Sequence, residues 1–97
     1  ETNLVPVEIK LEDGRFASGT PRTVHVPSDF LILITASADS KGPYQLSVIS
    51  PSTAQTFKIP SGETQRITQD GLKPGSVIKL MLGKQTVKVV ADAEPGP

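Results

Sequence analysis

The sequence predicts an all-β fold, a two-sheet antiparallel sandwich of about seven or eight short strands, with a small barrel as the weaker alternative. Three observations predict it. Runs of alternating apolar and polar residues recur at intervals of about ten residues. Nine Pro and eight Gly punctuate the chain between these runs, and no window repeats its apolar residues at a helical period.

The elements follow in order. Val5, Val7, Ile9 and Leu11 alternate with Pro6, Glu8 and Lys10, a half-buried first strand. Pro6 has no N–H for a ladder, so it belongs at a sheet edge or at a position facing solvent. Asp13-Gly14 supplies residues that tolerate positive φ, hence a turn, and Phe16 is expected to plug one end of the core from an irregular polar segment over residues 15–21. Residues 22–26 form a second strand with Val24 and Val26 inward and Thr23 and His25 outward. Pro27-Ser28-Asp29 turns the chain into Phe30–Ala36, the longest apolar run. Phe30, Ile32 and Ile34 fall on one face and Leu31 and Leu33 on the other, so this strand is expected to be central and hidden on both faces.

A polar loop over 37–43 leads to a strand over 44–49 that buries Tyr44, Leu46 and Val48. Residues 50–55 are expected to be a loop, 56–59 a short strand ended by Pro60, and 64–68 another strand with Ile67 inward. Asp70-Gly71-Leu72-Lys73-Pro74-Gly75 reads as a connection anchored to the core by Leu72. Residues 76–82 and 85–91 form the clearest hairpin, joined by Gly83-Lys84 in a type II′ turn. That turn sets Leu82 opposite Gln85, Leu80 opposite Val87 and Ile78 opposite Val89. It also sets Met81 against Thr86 and Lys79 against Lys88, a like-charge pair that is unfavourable unless solvated or bridged by a carboxylate.

Length and composition bound the function. Ninety-seven residues make one domain, read as a flexible segment at 1–4, the sandwich at 5–91 and a linker or tail at 92–97. Ten basic residues balance ten acidic ones, which argues against nucleic acid, whose binding requires clustered Lys and Arg. No apolar run approaches the roughly 20 residues that a membrane span needs. The chain starts at Glu1 rather than a methionine, which reads as a trimmed or mature form. It contains no cysteine, which excludes disulfides, thiolate metal sites and a cysteine nucleophile.

The remaining chemistry is sparse. His25 is the single histidine and one imidazole alone makes no metal site, so it reads as a surface residue; the lone Met81 reads as packing. Serine and threonine are plentiful, but no Gly-x-Ser-x-Gly turn or base partner accompanies them. Carboxylates stand singly at turns and edges, so Asp13-Gly14 and Asp70-Gly71 read as turns rather than calcium ligands. Glycines 62, 71, 75 and 83 lie between strands, where they cradle no phosphate. Lys79, Lys84 and Lys88 form a small basic stripe, read as protection against edge pairing with an anionic partner as the alternative.

The order of elements carries a resemblance. An edge strand followed by Asp13-Gly14-Arg15, a second strand ending Val24-His25-Val26-Pro27, the apolar strand, a strand from Tyr44, then Lys58-Ile59-Pro60-Ser61-Gly62-Glu63-Thr64 and a closing hairpin resemble bacterial cupredoxin-like domains over residues 5–90. The resemblance implies a Greek-key sandwich. Copper-binding members use two histidines, a cysteine and often a methionine, the last three gathered between the final strands. Here the place of the first histidine holds Gln45 and Ser47, and the final loop is reduced to Gly83-Lys84. The resemblance therefore implies a domain without a copper site, cofactor or catalytic residues, serving as an interaction or scaffold module of a bacterial envelope or secreted protein. Its expected partner is another protein or another domain of the same chain, and in isolation a monomer is expected. The alternatives are an unconventional metal or electron-transfer site using His25 and Met81, and an immunoglobulin-like adhesive domain, which differs in strand order.

Overall fold

Alternation decides which side chains go inside, and two sheets stacked face to face give them a shared interior. In a computed structural model, which describes residues 5–26, 30–38, 42–69 and 73–92, these are all strands and turns. The strands are β1 (Val5–Glu12), β2 (Arg15–Phe16), β3 (Thr23–Val26), β4 (Phe30–Ala36), β5 (Tyr44–Ile49), β6 (Ala54–Ile59), β7 (Thr64–Gln69), β8 (Val77–Leu82) and β9 (Gln85–Ala91). One sheet has the order β2-β1-β4-β7 and the other β3-β9-β8-β5-β6. The turn expected at 27–29, the Leu72 anchor, the 1–4 segment and the tail beyond Asp92 lie outside the described residues.

The expectation of purely antiparallel sheets is overturned. β1 runs parallel to β4, with Val5 beside Phe30 and Leu11 beside Ala36, and β3 runs parallel to β9, with Thr23 beside Lys88 and Val26 beside Ala91. Alternation specifies the face a side chain takes but not the direction of the neighbouring strand. A parallel neighbour requires a long crossover, and the chain makes one between β1 and β4: β2 stays in the first sheet, whereas β3 joins the second.

The described core side chains of both sheets form a single cluster in which Leu11, Phe30, Ile32, Ile34, Leu46, Ile78 and Leu80 are fully buried. β4 is internal to its sheet, between β1 and β7, but only one of its faces is hidden. Leu31 and Leu33 are half-buried, because the far side of this sheet has no third layer. They are shaded by their register neighbours: Pro6 and Thr68 flank Leu31, and Glu8 and Arg66 flank Leu33, whose methylene stems cover apolar surface while their charges stay wet.

Two hairpins fix the end of the sandwich at which the candidate site lies. Asp13 and Gly14 have φ of 54° and 78°, the doubly left-handed pair of a type I′ turn. This turn folds Arg15–Phe16 back on Glu12 and Leu11, so the expected irregular plug begins as a two-residue strand that buries Phe16. Gly83 has φ 59°, and the β8–β9 register pairs Leu82 with Gln85, Met81 with Thr86 and Lys79 with Lys88, as the two-residue turn predicts. Pro6 lies on the part of β1 that, among the described residues, has β4 as its one strand neighbour, an edge position of the kind that tolerates proline. β6 starts earlier than its alternation suggests, at Ala54. Ser50 and Thr53 make this possible by bonding each other: Ser50 N–H donates to the Thr53 carbonyl (2.8 Å) and Thr53 N–H to Ser50 Oγ (3.1 Å).

Candidate interaction surface

At the β1–β2 end, two side chains of the five-stranded sheet reach across to the four-stranded one. Tyr44 begins β5 with its ring buried, and its hydroxyl accepts a bond from Gly14 N–H at 3.0 Å. Gln85 begins β9, and its Oε1 accepts from Phe16 N–H at 2.8 Å. The two backbone donors adjoin each other on one hairpin, so these bonds fasten the sheets together and satisfy polar groups beside the core. Sequence reading gave Tyr44 to the core and Gln85 to the hairpin register; it missed both bonds, since a residue 69 positions away leaves no local signal. Gln45, exposed, and Ser47, half-buried, stand opposite Lys58 and Thr56 on the outer side of β5.

His25 and Met81 are not brought together. His25 pairs with Val90 and Val90 with Val77, which puts His25 two strands from Val77, and Met81 lies four residues further along β8. Strand spacing and rise put their backbones roughly 16 Å apart, far beyond what a shared ion could bridge. Instead, His25 Nδ1 is 2.8 Å from Asp92 Oδ1, with the two side chains 61% and 52% exposed, so the pair is a weak surface contact. Among the described residues, no group of three or more His, Asp or Glu side chains gathers into a metal-binding set.

The feature that does assemble is cationic. A cavity of about 610 Å³ opens beside the β2 and β9 starts, and Arg15, Arg22 and Lys84 line it together with Ser18, Thr20 and Thr86. Among the described residues no carboxylate lines it, although Glu12 stands opposite Arg15 across the hairpin. Thr86 also lines a second, shallower depression of about 370 Å³ on the outer face of the five-stranded sheet, with Ile49, Val77, Met81, Lys79 and Lys88 around it. The register explains this face. Thr23, Lys88, Lys79, Ile49 and Ala54 form one outward row across the sheet, and Thr86, Met81, Ser47 and Thr56 form the next.

The five strands of this sheet contain Lys58, Lys79, Lys88 and His25 but not one Asp or Glu. The other sheet mixes Glu8 and Glu12 with Lys10, Arg15 and Arg66. A chain of net charge zero thus keeps a sheet whose strands carry no carboxylate, with Asp92, just past β9, held against His25 at its edge. Lys79, Lys84 and Lys88, grouped by sequence reading as one stripe, divide between the sheet face and the turn. Arg15 and Arg22 join them only through folding. No family model matches the chain, and no curated relative matches its sequence.

Proposed function

We propose that this chain is a non-catalytic, cupredoxin-like Greek-key module without a copper site, serving as an interaction or scaffold domain of a bacterial envelope or secreted protein. The observation that carries this reading is the pair of inter-sheet bonds from Tyr44 to Gly14 N–H and from Gln85 to Phe16 N–H. They occupy the end where β5 starts and the shortened β8–β9 turn lies, the region in which the resemblance would put copper ligands. A phenol and a carboxamide engaged with backbone N–H groups are packing and fastening groups rather than ligands for a soft metal. The partner is another protein or another domain of the same chain.

Strand order supports this reading over the immunoglobulin-like one. An immunoglobulin sandwich is built of two antiparallel sheets, whereas here both sheets are mixed, with β1 parallel to β4 and β3 parallel to β9. The metal-site alternative built on His25 and Met81 finds no support in their separation. The decisive experiment is equilibrium dialysis of the chain against Cu(II), and against Cu(I) under reductant, alongside the His25→Ala and Met81→Ala variants. The expected result is no stoichiometric copper and no difference between the three proteins. One copper retained per chain would overturn the reading.

A further inference from the structure

We infer that the outer face of the five-stranded sheet around Lys79 and Lys88, whose strands carry no Asp or Glu, continued into the Arg15–Arg22–Lys84 cavity, is the docking surface for an acidic polypeptide segment that carries apolar side chains between its carboxylates. This partner chemistry rests on reading the chain as an interaction module. Three observations lead to it. First, Lys79 and Lys88 are directly opposed, a like-charge pair that costs the free protein stability. Among the described residues the one ion pair is His25–Asp92, so no described carboxylate relieves the pair. A carboxylate from outside, seated between the two ammonium groups, would relieve it.

Second, the lysines border an apolar depression rather than a polar one. Ile49 is the one large apolar side chain left exposed among the described residues, at 37%, and Val77 and Met81 line the same depression half-buried. An occupant must therefore bring apolar groups as well as negative charge, which a protein segment does and a phosphodiester backbone does not. Third, Thr86 lines both the depression and the cavity, so the two are contiguous. Lys84, in the turn that opens β9, and Lys88, on β9, are four residues apart, up to roughly 13 Å, a distance that an extended segment of about four residues covers. One carboxylate fits at Lys79 and Lys88 and a second at Arg15, Arg22 and Lys84, with an apolar side chain between them over Met81 and another beside Lys79 over Ile49. Charge complementarity of this kind sets register and speeds association.

The test is fluorescence anisotropy of a short fluorescein-labelled peptide of repeating Glu-Glu-Leu, titrated with the whole chain at low and physiological salt. The double variants K79Q/K88Q and R22Q/K84Q and the opposite-sheet control K10Q/R66Q are titrated in parallel. All six substituted side chains are exposed, so the variants keep the fold. Saturable binding is expected, weakened roughly tenfold in each of the first two variants, since each loses two exposed charge contacts, and unchanged in the control. Absent binding, equal weakening in all three variants, or tighter binding of phosphatidylglycerol vesicles or duplex DNA would each overturn the inference. If neither this peptide nor copper binds, the module reading stands and the partner chemistry falls; stoichiometric copper removes the module reading whatever the peptide does.

Discussion

Tyr44 illustrates how much a single atom decides here. Its ring belongs to the core and is placed by the alternation of β5, but its hydroxyl is what ties that strand to the β1–β2 turn. Removing only the oxygen isolates this contribution. The Tyr44→Phe variant is expected to lose about 1 kcal/mol of stability, the net worth of a typical intramolecular hydrogen bond, and up to about 3 if Gly14 N–H is left without a partner. Urea unfolding at matched slope measures it. An unchanged midpoint would mean that water replaces the phenol and that the fastening role is dispensable. Of the candidate residues named from sequence, His25 was legible as an outward surface residue because its position in the Thr23–Val26 alternation is local information. Its bond to Asp92 was not, because that contact exists only once β3 lies alongside β9.

At the scale of elements, the β8–β9 hairpin is the best-specified part of the chain and also holds its most telling conflict. A two-residue turn with Gly first determines the register by itself, so every cross-strand pair, Lys79 with Lys88 included, follows from the sequence. Two directly opposed cations run against the local rule that like charges across a ladder destabilise it, and local rules are broken most often where function demands it. Replacing one of them with the opposite charge is expected to help the fold and harm the function. The Lys88→Glu variant should gain roughly 0.5–1 kcal/mol, the size of a cross-strand charge pair, seen as a thermal midpoint raised by a few degrees, while losing acidic-peptide binding. A midpoint that stays put or falls would show that the two ammonium groups are fully solvated and carry no stored cost.

At the scale of the whole molecule, pairings are dominated by strands distant in sequence. Thr23 lies beside Lys88 and Val5 beside Phe30, so large loops must close before either parallel pair is rewarded. Folding is accordingly expected on the millisecond-to-second timescale typical of sandwiches. Stopped-flow refolding from urea checks this, and completion within the mixing time would contradict it. The same long-range organisation segregates the charge. Arg15 and Arg22 look unremarkable in an irregular polar segment, and only the return of β9 past that segment makes them part of one cavity with Lys84.

What the sequence determined by itself was each side chain's face and each tight turn. Period-two alternation, Pro and Gly placement and the Gly83-Lys84 turn are properties of neighbours along the chain, and they suffice for strands, core and hairpin register. Tertiary structure alone decided strand direction, the passage of the chain from one sheet to the other between β2 and β3, and the gathering of five cations along one end and face. These depend on which distant segment becomes a neighbour, and local pattern carries no record of that choice, because a strand buries the same face beside a parallel partner as beside an antiparallel one.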